Sequence, residues 1–299
     1  SAMADRMTTR LRQLIAGYDL VIAPGVADAL NARLVARAGF QAIYMTGSGT
    51  TAVRLGMPDV GLLTMTEMAD NAARIADASG LPLVADADTG YGGPVNVVRT
   101  VKAYERTGAA AMHIEDQQWP KRCGHLAGKT LIPAADMVAK IRAAVDARRE
   151  KDFMIIARTD AIAVEGFEQA LERGRLYEAA GADMIFVEAP LDADQLAAIP
   201  HSFAVPTLFN MAVSGKTPLL PAAEIRELGF KLAIYPNLAL LAAAAASRRA
   251  LEELKATGAV TGILEDALSF TEFFDLVGMA EVQELEQRYG VDASARVGY

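Results

Sequence analysis

The sequence predicts an α/β protein folded as a closed (β/α)8 TIM barrel with a C-terminal helical extension, and three observations predict it. Eight short apolar runs recur down the chain, separated by stretches whose apolar residues fall at three- and four-residue spacing. Several of these stretches stop at a glycine, which can take the left-handed conformation that ends a helix before the next strand. Nearly every run closes on its C-terminal side in an acid, a base or a small hydroxyl residue. An open doubly wound sheet alternates strand and helix in the same way, but it scatters such polar ends, whereas a barrel gathers them on one rim around one pocket.

Taken in order, Val21-Ile22-Ala23 leads to Pro24 and Asp28, Ala42-Ile43-Tyr44-Met45 to Thr46-Gly47-Ser48, and Leu83-Val84-Ala85 to Asp86-Ala87-Asp88. Ala111-Met112-His113-Ile114 runs into Glu115-Asp116, Phe153 to Ala157 into Arg158, and Met184 to Val187 into Glu188. Val205 to Phe209 precedes Asn210, and Leu232 to Tyr235 precedes Pro236. Helical periodicity marks Met65 to Ala78, Val95 to Thr107, Ala134 to Arg149, Phe167 to Ala180 and Pro221 to Leu228, with Gly80, Gly108, Gly181 and Gly229 as stops. With 299 residues and 52% hydrophobic content, the chain is read as one domain, 1–299, with 238–299 as a C-terminal helical segment. Leu238 to Ala256 reads as one long helix and Leu264 to Arg288 as at least one more. Such an extension either contacts a neighbouring subunit or packs on its own barrel.

Composition narrows the function. A net charge of -8 and a pI near 5.1 exclude a nucleic-acid or anionic-membrane partner, which an acidic surface would repel. The single cysteine, Cys123, forms no intramolecular disulfide, so nothing requires an oxidising compartment. The apolar run Leu238 to Ala246 is far short of the ~18 residues that cross a bilayer, and no signal peptide is visible. Ser1-Ala2 before Met3 reads as a tag remnant, and the expected location is cytoplasmic.

Two carboxylates, Asp86 and Asp88, close the third run two residues apart, so on an extended backbone they share a face. Hard oxygen ligands paired at a pocket point to Mg²⁺ or Mn²⁺; one or two direct carboxylates suffice, and Glu115 and Asp59 can serve through water. Read alone, Asp88-Thr89-Gly90 is a turn. Lys121-Arg122-Cys123-Gly124-His125 lies in a segment between Pro120 and Pro133, which reads as a mobile loop able to close over a substrate. Two cations and a histidine around a lone thiol would ease its loss and return of a proton. Arg158 can hold a carboxylate in bidentate fashion or pair structurally with Asp160, and Thr46-Gly47-Ser48 offers donors to another anion.

These residues resemble, in the same order, the motifs of the isocitrate lyase / phosphoenolpyruvate mutase superfamily. The resemblance runs from Tyr44 to Pro236. It is carried by Tyr44-Met45-Thr46-Gly47-Ser48, Asp59, Asp86-Ala87-Asp88-Thr89-Gly90-Tyr91-Gly92, His113-Ile114-Glu115-Asp116-Gln117, Lys121-Arg122-Cys123-Gly124-His125 and Ala157-Arg158-Thr159-Asp160-Ala161. It implies a helix-swapped barrel, usually a homotetramer, with Mg²⁺ seated by Asp86 and with Asp59, Asp88 and Glu115 nearby. The Lys-Arg-Cys-Gly-His form implies the lyase branch, with Cys123 as general acid and Lys121, His125 and Tyr44 beside it. Substrate contacts are implied for Thr46, Gly47, Ser48, Gly124, Arg158, Glu188, Asn210 and Pro236.

Within that branch, 2-methylisocitrate lyases hold a third carboxylate with two arginines. Leu240-Leu241 and Ser269-Phe270-Thr271 stand where those cations would fall, and a carboxylate buried against them unpaired would cost several kcal/mol. Glu188-Ala189-Pro190, Asn210-Met211, Gly215 to Leu219 and Phe270-Thr271-Glu272-Phe273 resemble the 2,3-dimethylmalate lyase and petal death protein group. Oxaloacetate hydrolases tend to carry a serine near Pro236. The expectation is a Mg²⁺-dependent carbon–carbon lyase that splits a small branched 2-hydroxy dicarboxylate, a 2-alkylmalate, into a 2-oxo acid and a carboxylate. Tyr44 is the first candidate to take the hydroxyl proton, a water on the metal the next. Alternatives are an oxaloacetate hydrolase or decarboxylase, a 2-methylisocitrate lyase, and a non-catalytic barrel that only binds.

Overall fold

The eight apolar runs become eight parallel strands that close on themselves, each paired with its sequence neighbour and the last with the first. The computed structural model describes residues 6–17 and 19–290. Ser1-Ala2, the expected tag remnant, lie outside the described residues. The strands are β1 (Val21–Val26), β2 (Ile43–Met45), β3 (Leu83–Asp86), β4 (Ala111–Glu115), β5 (Met154–Thr159), β6 (Met184–Val187), β7 (Thr207–Asn210) and β8 (Leu232–Tyr235). Between them come α1 (Met7–Gly17), α2 (Ala29–Arg37), α3 (Gly47–Leu55), α4 (Met65–Ser79), α5 (Pro94–Arg106), α6 (Ala134–Ala147), α7 (Ile162–Glu165), α8 (Phe167–Ala179), α9 (Ala193–Ala198) and α10 (Ala222–Leu228). After β8 follow α11 (Leu238–Thr257), α12 (Phe270–Leu276) and α13 (Met279–Arg288).

Strands buried on both faces read as continuous apolar runs, because parallel sheets are covered on each side. Alternate residues then build two cores. Ile43, Met45, Leu83, Ala85, Met112, Ile114, Ile155, Ala157, Ile185 and Val187 face the helices in one cluster. Tyr44, Val84, Ala111, Met154, Ile156, Met184, Phe186, Leu208 and Ile234 share the other with Leu11 and Ile15 of α1, which inserts its apolar stripe among them. That helix, α2, α3, α7 and α9 escape the sequence reading. They are short, and α3 opens on the Gly47-Ser48-Gly49 stretch, whose low helix propensity hides it.

Contacts divide the chain into two compact units, Ser1–Leu240 and Leu241–Tyr299. In the second, the segment from Leu264 to Arg288, read as at least one helix, holds two. A capping box between Ser269 and Glu272 starts α12, and Gly278, at φ 89°, turns the chain into α13. Among the described residues from Leu238 on, Leu276 is the only buried apolar side chain. Among the described residues, no helix is long and apolar enough to cross a membrane.

Candidate active site

The inner face of the barrel delivers the chemistry. Stepping by two along each strand, Val84 leads to Asp86, Ala111 to His113 and Glu115, Ile156 to Arg158, Phe186 to Glu188 and Leu208 to Asn210. Parallel register sets the neighbours: Asp86 lies opposite His113, and Glu115 opposite Arg158. Glu115 Oε2 accordingly meets Arg158 Nη1 at 3.1 Å with both groups buried.

Asp86 and Asp88 do reach one centre, but not through a shared strand face. Asp88 sits at φ 47°, in the left-handed region, and its N–H donates to Asp86 Oδ1 at 2.8 Å, so a tight turn rather than strand alternation aims its carboxylate. The Lys121 ammonium, 1% exposed, stands 2.7 Å from Asp59 Oδ2, 3.2 Å from Asp88 Oδ1 and 3.7 Å from Glu115 Oε1. Burial alone would lower its pKa, but those acids raise it well above the ordinary lysine value, so it stays charged. For the acids, burial outweighs Lys121 and pushes Asp88 up to about 6, with Asp86 and Glu115 also raised.

This centre lacks positive charge. Asp59, Asp86, Asp88, Glu115, Asp160 and Glu188 are six buried carboxylates against the three buried cations Lys121, Lys129 and Arg158. Asp88 Oδ1 and both Glu115 oxygens are buried without a hydrogen bond. Asp86, His113 and Glu115 present ligand atoms within 4.8 Å of one another. Undersatisfied carboxylate oxygens at a negatively charged centre fit a hard divalent cation. His113, quoted in the sequence motif but given no role there, completes this group. Its spacing of two from Glu115 on a strand was the available signal. Burial drops its pKa to about 3, so the ring is neutral, with Nε2 2.7 Å from the Tyr44 hydroxyl. Burial and Asp86 push the Tyr44 phenol well above its ordinary value, so it rests protonated and is a hydrogen-bonding group rather than a ready base.

The cysteine segment is docked on the rim. Gly124 lies so close to Arg158 and Glu188 that a Cβ there would fall 2.4 Å from Arg158 Nη2 and 2.5 Å from Glu188 Oε2. Lys129 ties it down, donating to the Gly124 carbonyl at 2.6 Å and reaching Asp160 at 3.1 Å. The Gln117 side chain clamps the Arg122 backbone at both N–H and carbonyl, 2.9 and 2.8 Å. Cys123 itself corrects the sequence reading: burial raises its pKa, and the neighbouring cations do not overcome that. The thiol is held protonated.

Arg158 takes the structural reading of the two. It pairs with Asp160 through two 2.9 Å hydrogen bonds, and it also faces Glu115 and Glu188. Although burial opposes ionisation, Arg158 and His125 hold Glu188 well below the usual carboxylate range. Glu188 accepts from Asn210 Nδ2 at 3.1 Å and lies 3.1 Å from His125 Nε2, while His125 Nδ1 meets the Ser214 hydroxyl. Asp116, Asp160 and Lys129 were passed over as site residues. Asp116 accepts from Thr159, the Asp160 N–H and Tyr177, and so fixes the end of β5 from outside the pocket.

Thr46, Gly47 and Ser48 open α3, with Thr46 as its cap. The Gly47 backbone presses on the acidic centre, since a Cβ there would lie 2.3 Å from Asp86 Oδ2. Pro236 is buried, and its carbonyl sits against Gly25 of β1, where a Cβ would come within 2.2 Å. Leu241 and Phe270, which the sequence argument placed around a third carboxylate, are 54% and 82% exposed.

Residues 11–255 match the family model described as phosphoenolpyruvate phosphomutase. The chain is 45% identical over 280 residues to the 2,3-dimethylmalate lyase of Eubacterium barkeri, covering 94% of this chain and 97% of the relative. It is 46% identical over 274 residues to a 2-methylisocitrate lyase of Aeropyrum pernix, covering 92% and 88%. Among solved structures, an oxaloacetate acetylhydrolase in complex with the inhibitor 3,3-difluorooxalacetate superposes with a TM-score of 0.92 at 40% identity, covering 96% of this chain and 98% of that one.

Proposed function

We propose that this chain, which belongs to the phosphoenolpyruvate mutase/isocitrate lyase superfamily and is a carbon–carbon lyase, cleaves a 2-alkylmalate such as 2,3-dimethylmalate into a 2-oxo acid and a carboxylate. The observation that carries the reading is a thiol kept protonated by burial, on a segment docked against Arg158 and Glu188 beside an acidic centre short of positive charge.

Asp86, with Asp88, Asp59 and Glu115 around it, would hold Mg²⁺, which when bound supplies Lewis-acid polarisation of the substrate's 2-hydroxyl and carboxylate oxygens. Arg158, aimed by Asp160, and the N-terminus of α3 orient the end that becomes the 2-oxo acid. Tyr44, fixed by His113, donates a hydrogen bond at that end rather than removing a proton. As the carbon–carbon bond breaks, its electron pair passes to the departing carboxylate as an enediolate. His125 and Asn210, gathered on Glu188, stand where donors can stabilise that charge. Cys123 transfers its proton to the enediolate carbon. The 2-hydroxyl gives up its proton to a water at the acidic centre, which passes it to solvent, and the Cys123 thiolate takes a proton back from solvent once the carboxylate product has left, so the protons balance over the cycle. Lys121 bridges Asp59 and Asp88 and offsets the repulsion between their carboxylates, and Gly124 lets the segment approach closely enough to exclude water.

The test is a paired assay. Pyruvate release from 2,3-dimethylmalate, followed by coupled NADH oxidation, should exceed oxaloacetate consumption by at least tenfold in kcat/KM. The reverse order would favour the second reading, an oxaloacetate hydrolase, a structure of which superposes with the same TM-score of 0.92 as one of 2,3-dimethylmalate lyase. Pro236 offers no hydroxyl at the position where those hydrolases tend to carry serine, and this favours alkylmalate cleavage. A 2-methylisocitrate lyase is disfavoured by the absence of a cation at Leu240-Leu241 and Ser269 to Thr271. We also propose a cytoplasmic, helix-swapped homotetramer: α11 has no buried residue and exposes Leu238, Leu241, Leu251 and Leu254, a stripe suited to a second copy of the chain. Light scattering on eluted protein reads the mass directly, and a monomer would overturn it.

A further inference from the structure

We infer that Asn237, the residue between Pro236 and α11, is a positioning residue that turns the Ser48 hydroxyl into a dedicated donor for the substrate carboxylate while keeping the Thr46 hydroxyl occupied. The inference rests on the reading of the α3 N-terminus as the seat for that carboxylate. Three hydroxyl and amide groups form one small network. Thr46 Oγ1 donates to Asn237 Oδ1 at 3.0 Å and accepts the Gly49 N–H at 3.1 Å. Asn237 Nδ2 donates to Ser48 Oγ at 3.0 Å.

Counting protons fixes what each group has left. Thr46 has spent its one proton on Asn237 and its oxygen on capping α3, so it has little to offer a ligand. Ser48 receives the amide N–H on its oxygen, which leaves its own proton to place. Within the protein, its outlets are Asn237 Oδ1, to which it donates at 3.4 Å beside the closer Thr46 hydroxyl, and Thr46 Oγ1 at 3.3 Å. Both are long. A substrate carboxylate over the helix N-terminus is the stronger acceptor, because a charged partner makes the shorter and stronger bond. Exposure agrees: Thr46, Gly47, Gly49 and Thr50 are buried, and Ser48 alone of this stretch keeps an open face. The backbone is cut to admit the amide. Gly25 lets the Pro236 carbonyl close on β1, while a Cβ at Gly49 would strike the Thr46 side chain first and reach Asn237 Oδ1 only at 3.3 Å. Sequence gave no sign of this role, since the partners lie 191 and 189 residues apart.

The experiment measures oxalate affinity by calorimetry on full-length, Mg²⁺-supplemented protein, together with kcat and KM, for wild type, Asn237→Ala, Asn237→Asp, Ser48→Ala and the Asn237→Ala/Ser48→Ala double variant. Asn237→Ala and Ser48→Ala should each weaken oxalate roughly tenfold and raise KM with kcat nearly unchanged, as loss of uniform binding requires. The double variant should be no weaker than Ser48→Ala alone, because Asn237 acts through Ser48. Asn237→Asp is isosteric and still accepts from Thr46, so it folds, yet it cannot donate to Ser48 and sets a carboxylate beside the anion; it should bind more weakly than Asn237→Ala. Additive losses in the double variant, or wild-type affinity in Asn237→Ala or Asn237→Asp, would overturn the inference while leaving the site reading intact. A wild-type protein that neither binds oxalate nor cleaves any 2-hydroxy dicarboxylate would overturn both.

Discussion

Gly47→Ala separates the metal site from the fold. Gly47 is the first residue of α3, and its backbone lies outside the left-handed region, so alanine is permitted there and should favour the helix by up to about 1 kcal/mol. Its Cβ, however, would stand 2.3 Å from Asp86 Oδ2 and 2.9 Å from Asp86 Cγ. Ordinary contact begins near 3.4 Å, so the carboxylate must retreat by about 1 Å. It has little room to do so: Asp86 is 4% exposed, its Oδ1 is held by the Asp88 N–H at 2.8 Å, and its carbonyl by the Tyr104 hydroxyl at 2.8 Å. Mg²⁺ ligand distances tolerate only ~0.2 Å, so a displaced direct ligand should cost roughly a hundredfold in affinity, about 2.7 kcal/mol. Mn²⁺ titration followed by electron paramagnetic resonance gives the affinity, and thermal unfolding in chelator gives the metal-free stability. Gly17→Ala, with nothing within 4 Å of its Cβ, serves as the control. If Gly47→Ala binds Mn²⁺ as tightly as wild type, Asp86 is not the direct ligand and the reasoning fails.

Cys123→Ser should lower kcat at least a hundredfold, within the usual span for losing a general acid, while calorimetry still finds Mg²⁺ and oxalate binding; turnover near wild type would show that another group delivers the proton. Because burial raises the thiol above its ordinary value of 9.0, kcat/KM should hold through neutral pH and fall only above pH 9 as the acid form is lost; a rate that climbs between pH 8 and 9 would mean the thiolate is the active form. Asp88 supplies a stability test. Its folded pKa of about 6 lies above the ordinary 3.8, so between roughly pH 4 and 6 the unfolded chain gives up a proton that the folded one keeps, and metal-free stability falls by about 3 kcal/mol across that window as pH rises. A bound cation offsets the penalty, so saturating Mg²⁺ should raise Tm more at pH 7.5 than at pH 5, and equal increments would contradict the assignment.

How much of this was readable from sequence follows from the period of a strand. Eight apolar runs with polar ends specify eight buried parallel strands, and the two-residue step places Asp86, Glu115, Arg158 and Glu188 on the inner rim without any knowledge of the third dimension. What the period cannot supply is any contact made by leaving it. Asp88 reaches the centre through a left-handed residue, Asn237 through a strand end that meets α3 across the barrel closure, and Lys129 through a return of its loop onto Gly124. The helices α1 and α3 were lost for related reasons. The buried face of α1 is a few residues wide, and α3 is held by capping and by Asn71, which donates to Thr50 and to the Ala27 carbonyl, rather than by an apolar stripe.

The thiol shows where reading neighbours along the chain goes wrong. Lys121 and Arg122 precede Cys123, and in sequence they look like charges that would draw off its proton. Folded, the Lys121 ammonium is spent on Asp59, Asp88 and Glu115, and Arg122 is exposed with only its backbone fixed by Gln117. Their attraction for a thiolate is therefore weak, Asp59 opposes it, and desolvation decides the outcome. A nucleophile would be crippled by that result, whereas an acid needs it: the proton must remain on sulfur until a stronger carbon base forms beside it. Of the two cations nearest in sequence, Lys121 serves the carboxylates and Arg122 faces outward, and by leaving Cys123 alone they allow it to donate.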